Sequence, residues 1–263
     1  MPENDLLRVS LLQTDLYWEC PEANRAMLEE WIWKIEKPTD IIILPEMFTT
    51  GFTMSPKKFA EPLNLHTHKW MRQMAEQTGA AIGGSYIVQE GGHYFNRFLW
   101  VEPSGAYSYY DKRHLFGMAG EDQHYTAGNQ AIVIQWRNWR ICPLICYDLR
   151  FPVWSRRRKD LDYDLLIYVA NWPQPRIHAW NILLKARAIE NQSYCVGVNR
   201  IGRDGYNHHY TGESAIIDYA GNELFYAKEV VAYPTVVLSK SRMEKFRQAF
   251  PFQQDADRFS ILP

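Results

Sequence analysis

The stretch DYDLLIYVANW (residues 162–172) constrains the fold more than any other part of the sequence. Its centre is a continuous run of aliphatic and aromatic residues, which is typical of a strand covered on both faces. The run DIIILPE (residues 40–46) has the same character. Each run leads into a polar loop and then, further along the chain, a helical pattern. The two runs therefore predict buried strands in strand–helix units.

The rest of the chain alternates strand, helix and ribbon patterns. Two aromatic-rich runs separated by a turn predict an antiparallel ribbon, and apolar residues at helical spacing predict helices. We found no break in composition, so residues 1–263 are predicted to form one domain, a layered α/β sandwich. The predicted ribbon is YFNRFLWVE (94–102) with YSYYDK (107–112), and the predicted helices include PEANRAMLEEWIWKIEKP (21–38), HTHKWMRQMAEQTGA (66–80) and RIHAWNILLKARAIENQ (176–192).

Composition argues against several classes of protein. The 29 basic and 30 acidic residues nearly cancel, and no basic stripe with interleaved aromatics indicates nucleic-acid binding. No apolar run approaches the roughly 18 residues that a membrane span needs, and the N-terminus does not resemble a signal peptide. The four cysteines are too irregularly spaced for a disulfide framework, and the eight histidines show no metal-binding pattern. We therefore expect a cytoplasmic protein without a metal.

Three reactive side chains follow apolar runs. Cys146 lies in LICYDLRFP (144–152), Glu46 ends DIIILPE, and Lys112 ends YSYYDK. Taken singly, the cysteine is best interpreted as a small buried hydrophobe and the charges as solvated strand ends. Strand ends gather at one edge in layered α/β folds. A thiol, a carboxylate and an ammonium at one edge would supply a nucleophile, a base and an oxyanion partner.

Three segments resemble the signature segments of the nitrilase, or carbon–nitrogen hydrolase, superfamily, and they occur in the family's order. They are LPEMFTTGF (44–52), YDKRHLF (110–116) and CYDLRFP (146–152), followed by ANWP (170–173) and KARAIEN (185–191). The similarity is greatest to the ω-amidase branch, which deamidates short 2-oxo dicarboxylic monoamides. The resemblance implies a four-layer α-β-β-α sandwich with two central mixed sheets flanked by helices. It also implies a homodimer or a higher even oligomer, and no cofactor.

The resemblance places the family's catalytic residues on Glu46, Lys112 and Cys146. The family's second glutamate falls on Glu121, seven residues before Gly128 in EDQHYTAG, although the adjacent Asp122 competes for this position. We expect the Lys112 charge to favour the Cys146 thiolate and Glu46 to accept its proton. The oxyanion would lie between the Lys112 ammonium and the backbone N–H of Tyr147.

The pocket wall and the chain end are predicted less directly. Arg150 could bind a substrate carboxylate, but an ion pair with Asp148 is the favoured interpretation. The aromatic tail from about 247 to 263 is either disordered or an arm that packs on a partner subunit. The candidate pocket residues, for which core packing is the alternative, are Phe48, Phe52, Asn171 and Trp172.

The favoured function is a cysteine-dependent amidase that acts on a small linear carboxamide through a thioester. Two alternatives remain open. One is another amidase of the superfamily, acting on deaminated glutathione or an N-carbamoyl compound. The other is a non-catalytic scaffold, which would have no use for all three reactive side chains.

Overall fold

The computed structural model describes residues 5–36 and 38–261, in which two mixed β-sheets are flanked by helices. The first sheet has the strand order β13-β1-β2-β3-β4-β5, where the strands are β1 (Leu6–Leu11), β2 (Ile41–Ile43), β3 (Ala81–Glu90), β4 (His93–Val101), β5 (Tyr107–Asp111) and β13 (Thr235–Ser239). The second has the order β10-β11-β9-β8-β7-β6, with β12 also paired to β11, where the strands are β6 (Ile134–Trp136), β7 (Trp139–Ile145), β8 (Leu165–Ala170), β9 (Tyr194–Asn199), β10 (Ile201–Arg203), β11 (His209–Ile217) and β12 (Glu223–Lys228).

Three of the helices are long and cover the sheets. They are α1 (Pro21–Trp33), α3 (His66–Thr78) and α6 (Ile177–Asn191). The remaining helices are α2 (Pro56–Phe59), α4 (Glu121–His124), α5 (Pro152–Ser155) and α7 (Lys240–Ala249). Helix α3 packs on β3 and β4, and α6 packs on β9 and β11. The layers therefore run helix, sheet, sheet, helix, as the resemblance implied.

Strand β2 shows why a short β-branched run can lie at the centre of this sandwich. Side chains alternate between the faces of a strand. Ile41 and Ile43 therefore face the core between the sheets, while Ile42 and Leu44 face the helices α1 and α3. Both faces are fully covered, which explains why the sequence has no polar alternation there.

Pro143 lies inside β7, although proline cannot donate a ladder hydrogen bond. Strand β6 pairs only with Trp139–Ile141 of β7, so Pro143 lies beyond the end of β6. The other neighbour, β8, pairs along β7 as far as Ile145. Pro143 therefore lies where β7 has a free edge, which is a position that tolerates proline.

The described part of the C-terminal tail packs against other residues of the same chain. Arg247, in the last turn of α7, donates from Nε to Gln192 O at 2.8 Å, and Phe250 O accepts from Gln192 Nε2 at 2.7 Å. Residues 262 and 263 of the predicted arm lie outside the described residues. Within 5–36 and 38–261, no helix is both long and apolar enough to cross a bilayer.

Candidate active site

Three charged side chains form a buried cluster at the ends of β2 and β5. Lys112 Nζ donates to Glu46 Oε1 at 2.9 Å, and to Glu121 Oε1 and Oε2 at 3.0 and 2.8 Å. None of these side chains is more than 1% exposed. The fold therefore brings the predicted base, ammonium and second glutamate into direct contact.

Backbone contacts on both sides hold Lys112 in place. Its N–H donates to Asn96 O at 3.0 Å, and its carbonyl accepts from Gly128 N at 2.9 Å. A Cβ atom on residue 128 would lie 2.2 Å from Asp111 O, so only glycine allows this approach. Gly128 closes the loop that carries Glu121 against Lys112, which gives the seven-residue spacing a structural reason.

Asn171 ties the end of β8 to Glu46 and also lines the cavity, as predicted. Its backbone N–H donates to Glu46 Oε2 at 2.8 Å, and its Nδ2 donates to Glu46 O at 2.6 Å. The Glu46 carboxylate is therefore oriented by the second sheet as well as by Lys112.

Cys146 begins the single 3-10 turn that follows β7. Its φ of +44° lies in the left-handed region, which residues other than glycine rarely adopt and which is enriched at functional sites. Cys146 and Tyr147 both line a cavity of about 340 Å³. The backbone N–H of Tyr147 lies in the first turn of the 3-10 helix, where N–H groups have no partner within the helix.

The predicted ion pair between Arg150 and Asp148 is wrong. Asp148 Oδ1 instead accepts from the backbone N and the Nδ1 of His114, at 3.0 and 2.8 Å. Its Oδ2 accepts from Ile145 N at 3.0 Å and from the Tyr110 hydroxyl at 2.7 Å. The Asp148 carboxylate therefore anchors the turn that carries Cys146, and it does so without Arg150.

The charge balance of the cluster keeps the thiol protonated. Desolvation and the Glu46 carboxylate raise the pKa of Cys146 well above its usual value, although Lys112 opposes them. Lys112 favours the thiolate, as expected, but burial and two carboxylates outweigh its one ammonium. Burial raises the pKa of Glu121 despite Lys112, and proximity to Glu46 adds to the increase. Burial alone would lower the pKa of Lys112, but Glu121 and Glu46 raise it.

Three of the four predicted pocket residues line the cavity together with Tyr147, the predicted oxyanion donor, and Phe48 does not. Phe48 is fully buried against Trp70 and Tyr86, with ring centroids 5.8 and 6.3 Å away. Met47, at φ +42°, turns the chain so that Phe48 joins the core between the first sheet and its helices. The residues that line the cavity are Phe52, Tyr147, Asn171 and Trp172.

Two arginines that sequence analysis did not assign to the pocket lie on its wall. Arg150 lies over the Trp172 ring with its guanidinium carbon 4.9 Å from the centroid, and Arg176 lies over the Phe116 ring at 5.1 Å. Among residues 5–36 and 38–261, neither arginine has a carboxylate partner within 4 Å. The sequence does not reveal that an arginine lacks a carboxylate partner, because the tertiary structure decides which groups lie near it.

Among the described residues that line the cavity, Asp204 is the one acidic side chain, and its carboxylate is already hydrogen-bonded. Asp204 accepts from the backbone N–H groups of Tyr206 and His208, both at 2.9 Å. It also accepts from His208 Nδ1 at 3.0 Å and from the Tyr210 hydroxyl at 2.8 Å. Asp204 therefore shapes the loop before β11, and the two guanidiniums keep their positive charge for a ligand.

Comparisons with known proteins identify the family. The family profile described as "Carbon-nitrogen hydrolase" matches residues 8–231. The chain is 46% identical over 257 residues to "Omega-amidase YafV" of Yersinia enterocolitica, covering 97% of this chain and 99% of that protein. It is 32% identical to "2-oxoglutaramate amidase" of Bacillus subtilis, covering 82% and 84% of the two chains.

A solved structure agrees with these sequence matches. XC1258 from Xanthomonas campestris, described as a CN-hydrolase superfamily protein with an arsenic adduct in the active site, superposes with a TM-score of 0.95 at 42% identity. The match covers 97% of this chain and 99% of that one. Sequence profile, relatives and fold agree over nearly the whole length, so this chain belongs to the carbon–nitrogen hydrolase family.

Proposed function

We propose that this protein is an ω-amidase, which hydrolyses the terminal carboxamide of a short 2-oxo dicarboxylic acid and releases ammonia. The observation that carries the proposal is the composition of one cavity. A thiol beside a buried carboxylate and ammonium lines it, and two guanidiniums without carboxylate partners lie on its wall. The thiol, carboxylate and ammonium can act on an amide, and the two guanidiniums can bind an anion.

Glu46 is the base that activates the nucleophile. As the Cys146 sulfur attacks the amide carbon, Glu46 takes the thiol proton, so no free thiolate needs to accumulate at the raised thiol pKa. The carbonyl oxygen becomes an oxyanion between the Lys112 ammonium and the Tyr147 N–H. One such donor is typically worth about 3–4 kcal/mol of transition-state stabilisation.

The same carboxylate completes the cycle. Glu46 returns its proton to the amide nitrogen as the C–N bond breaks, and ammonia leaves a thioester on Cys146. Glu46 then removes a proton from the attacking water and returns it to the sulfur as the C–S bond breaks, which gives the acid and the thiol. Glu121 keeps Lys112 oriented through both of its oxygens.

The guanidiniums favour an anionic substrate over a neutral amide. Arginine binds carboxylates through two parallel N–H donors, and the aromatic rings beneath Arg150 and Arg176 hold the guanidinium planes in place. The relatives named omega-amidase and 2-oxoglutaramate amidase support the same class. A 2-oxo dicarboxylic monoamide has an amide at one end and a carboxylate at the other.

Ammonia release tests the proposal. We expect 2-oxoglutaramate and 2-oxosuccinamate to be hydrolysed faster than deaminated glutathione, N-carbamoyl amides or neutral monocarboxylic amides. A preference for one of the other amides would assign the protein to another amidase, and no turnover with any of them would favour the scaffold.

Substitution of the two arginines separates the substrate class from the chemistry. We expect Arg150→Gln and Arg176→Gln to raise KM for the 2-oxo monoamides by about 10- to 100-fold, since each removes a charge-assisted hydrogen bond. Hydrolysis of a neutral amide should change little in either variant. Equal loss on charged and neutral amides would contradict an anion-binding role.

We also propose that the protein is a cytoplasmic homodimer. Its four cysteines are all free thiols, which supports a reducing compartment. Apolar side chains that are half exposed support an interface: Ile182 and Ile189 on α6, and Phe250 and Phe252 in the predicted arm. Light scattering that gave the 31.0 kDa mass of one chain would contradict the dimer.

A further inference from the structure

We infer that Asn96 is a positioning residue that holds the Glu46 and Glu121 carboxylates side by side around the Lys112 ammonium. Asn96 is fully buried in β4 and does not line the cavity. Its Nδ2 donates to Glu46 Oε1 at 2.8 Å and to Glu121 Oε1 at 3.2 Å. This role rests on the proposed chemistry of Cys146 and extends it to a residue that no substrate touches.

Asn96 and Lys112 bridge the same pair of oxygens. Lys112 Nζ reaches Glu46 Oε1 at 2.9 Å and Glu121 Oε1 at 3.0 Å, so two nitrogens and two oxygens form a closed ring. Asn96 Nδ2 uses both of its N–H bonds on these two oxygens, and the Lys112 ammonium also donates to Glu121 Oε2 at 2.8 Å.

The Asn96 side chain is neutral, so it can bond both carboxylates without changing the net charge of the cluster. A second cation could not. Two carboxylates in a dry site repel each other, and donors that bond their ionised forms oppose this repulsion. A second cation would cancel the excess negative charge of the cluster. Asn96 stabilises both carboxylates and leaves the charge of the cluster unchanged.

The backbone of Asn96 strengthens the argument. Its carbonyl accepts from Lys112 N at 3.0 Å, so Asn96 fixes the main chain of Lys112 and also the carboxylates that its side chain bonds. Without Nδ2, the two Oε1 atoms would lose a shared donor, and Glu46 would be held less firmly beside Cys146. The titratable groups around this ring are Glu46, Lys112, Glu121, Cys146 and Tyr125.

Asn96→Ala and the isosteric Asn96→Asp test the inference. We expect kcat to fall by roughly 10- to 100-fold, the loss typical of a hydrogen bond to a charged group, with KM little changed. Without the amide donors the pKa of the carboxylates rises, so the acid limb of the pH–rate profile should move up by about one pH unit. Asn96→Asp should move it further because it adds a third carboxylate.

A second measurement needs no substrate. The rate at which iodoacetamide alkylates Cys146, followed by mass spectrometry across pH, reports how readily Glu46 takes the thiol proton. We expect the pH dependence of the alkylation rate to move upward in the Asn96 variants by a similar amount. Were the wild-type enzyme inactive on every amide, this shift would still support Asn96 while the proposed function failed.

Asn191→Ala is the matched control, since Asn191 is a buried asparagine on α6 that bonds Arg187 O at 2.9 Å. It should lower thermal stability without moving either pH profile. If Asn96→Ala and Asn96→Asp fold and leave both profiles and kcat unchanged, Asn96 is only structural and the inference is overturned. If Asn96→Ala does not fold, the profile of Asn96→Asp decides in the same way.

Discussion

Two buried ionic clusters in this protein are built from the same kinds of side chain in opposite proportions. At the active site, two carboxylates share one ammonium, Lys112, and the pKa of Glu121 is raised. At the start of β8, one carboxylate, Asp164, contacts three cations. They are Arg140 at 2.7 Å, Lys240 at 3.1 Å and Arg247 at 3.1 Å.

The ratio of charges decides what each cluster can do. Burial would raise the pKa of Asp164, but hydrogen bonds and charge from Arg140, with Lys240, lower it to about 2. Asp164 therefore stays ionised and serves stability. The active-site cluster has excess negative charge, so one of its carboxylates can take a proton from a thiol. Reactivity here follows from an unequal count of opposite charges in a dry site.

Removing the nucleophile should give the largest effect. Cys146→Ala leaves the charged cluster intact but supplies no sulfur, so we expect turnover to fall by up to about 10⁶-fold, to background. The free energy of unfolding should change by no more than about 1 kcal/mol, because one partly exposed sulfur is lost. Ammonia release and denaturant unfolding measure the two quantities, and undiminished ammonia release would refute the mechanism.

Substituting Lys112, the cation that the two active-site carboxylates share, tests the active-site half of this comparison. Lys112→Arg keeps the charge but replaces a compact ammonium with a planar fork, so we expect kcat to fall by about 10²- to 10³-fold. Lys112→Ala should be at least as inactive and should also lose about 3–5 kcal/mol of stability, since it leaves two buried carboxylates without their cation. A Lys112→Arg variant with near-normal kcat would contradict the oxyanion role.

Neutralising Asp164 should affect stability alone. Its folded pKa of about 2 lies below the ordinary value of 3.8, so its stabilisation is complete above about pH 4 and is lost as the pH falls toward 2. The difference is worth about 2 kcal/mol at neutral pH. We therefore expect Asp164→Asn to lower the free energy of unfolding by about that amount at pH 7 and by much less near pH 2, with kcat unchanged.

Asp162→Asn is the control for this last change. Asp162 contacts the same Arg140, but its side chain is 40% exposed, and exposed ion pairs contribute at most about 1 kcal/mol. If the two substitutions cost the same, burial and the three cations of Asp164 would not explain its low pKa.

Local pattern placed the three reactive side chains at the ends of apolar runs, and the resemblance to the family's signature segments singled them out. Glu46, Lys112 and Cys146 each follow a strand that the sequence makes apolar, and the fold brings these strand ends together. Local pattern was insufficient to predict the surroundings of Arg150. The sequence predicts an ion pair with Asp148 because the two residues are close in the chain. Asp148 instead bonds His114 and Tyr110, which come from β5 and the loop after it.

Orientation was the second limit of the sequence. Phe48 follows Glu46 by two residues, but the left-handed turn at Met47 directs it into the core away from the cavity. Asn96 lies beside Arg97 in the aromatic-rich strand β4, and its hydrogen bonds form only when residues 46 and 121 are folded against it. A positive φ outside glycine leaves no mark in the sequence.

The amino-acid sequence by itself determined the doubly covered strands and the layered fold, and it placed a carboxylate, an ammonium and a thiol at the ends of apolar runs. It did so because hydrophobic periodicity and strand length are local properties. Only the tertiary structure decided the ionisation of these groups and which arginines remained without partners. Both depend on burial and on charges from segments distant in the chain, because electrostatic interactions act through space.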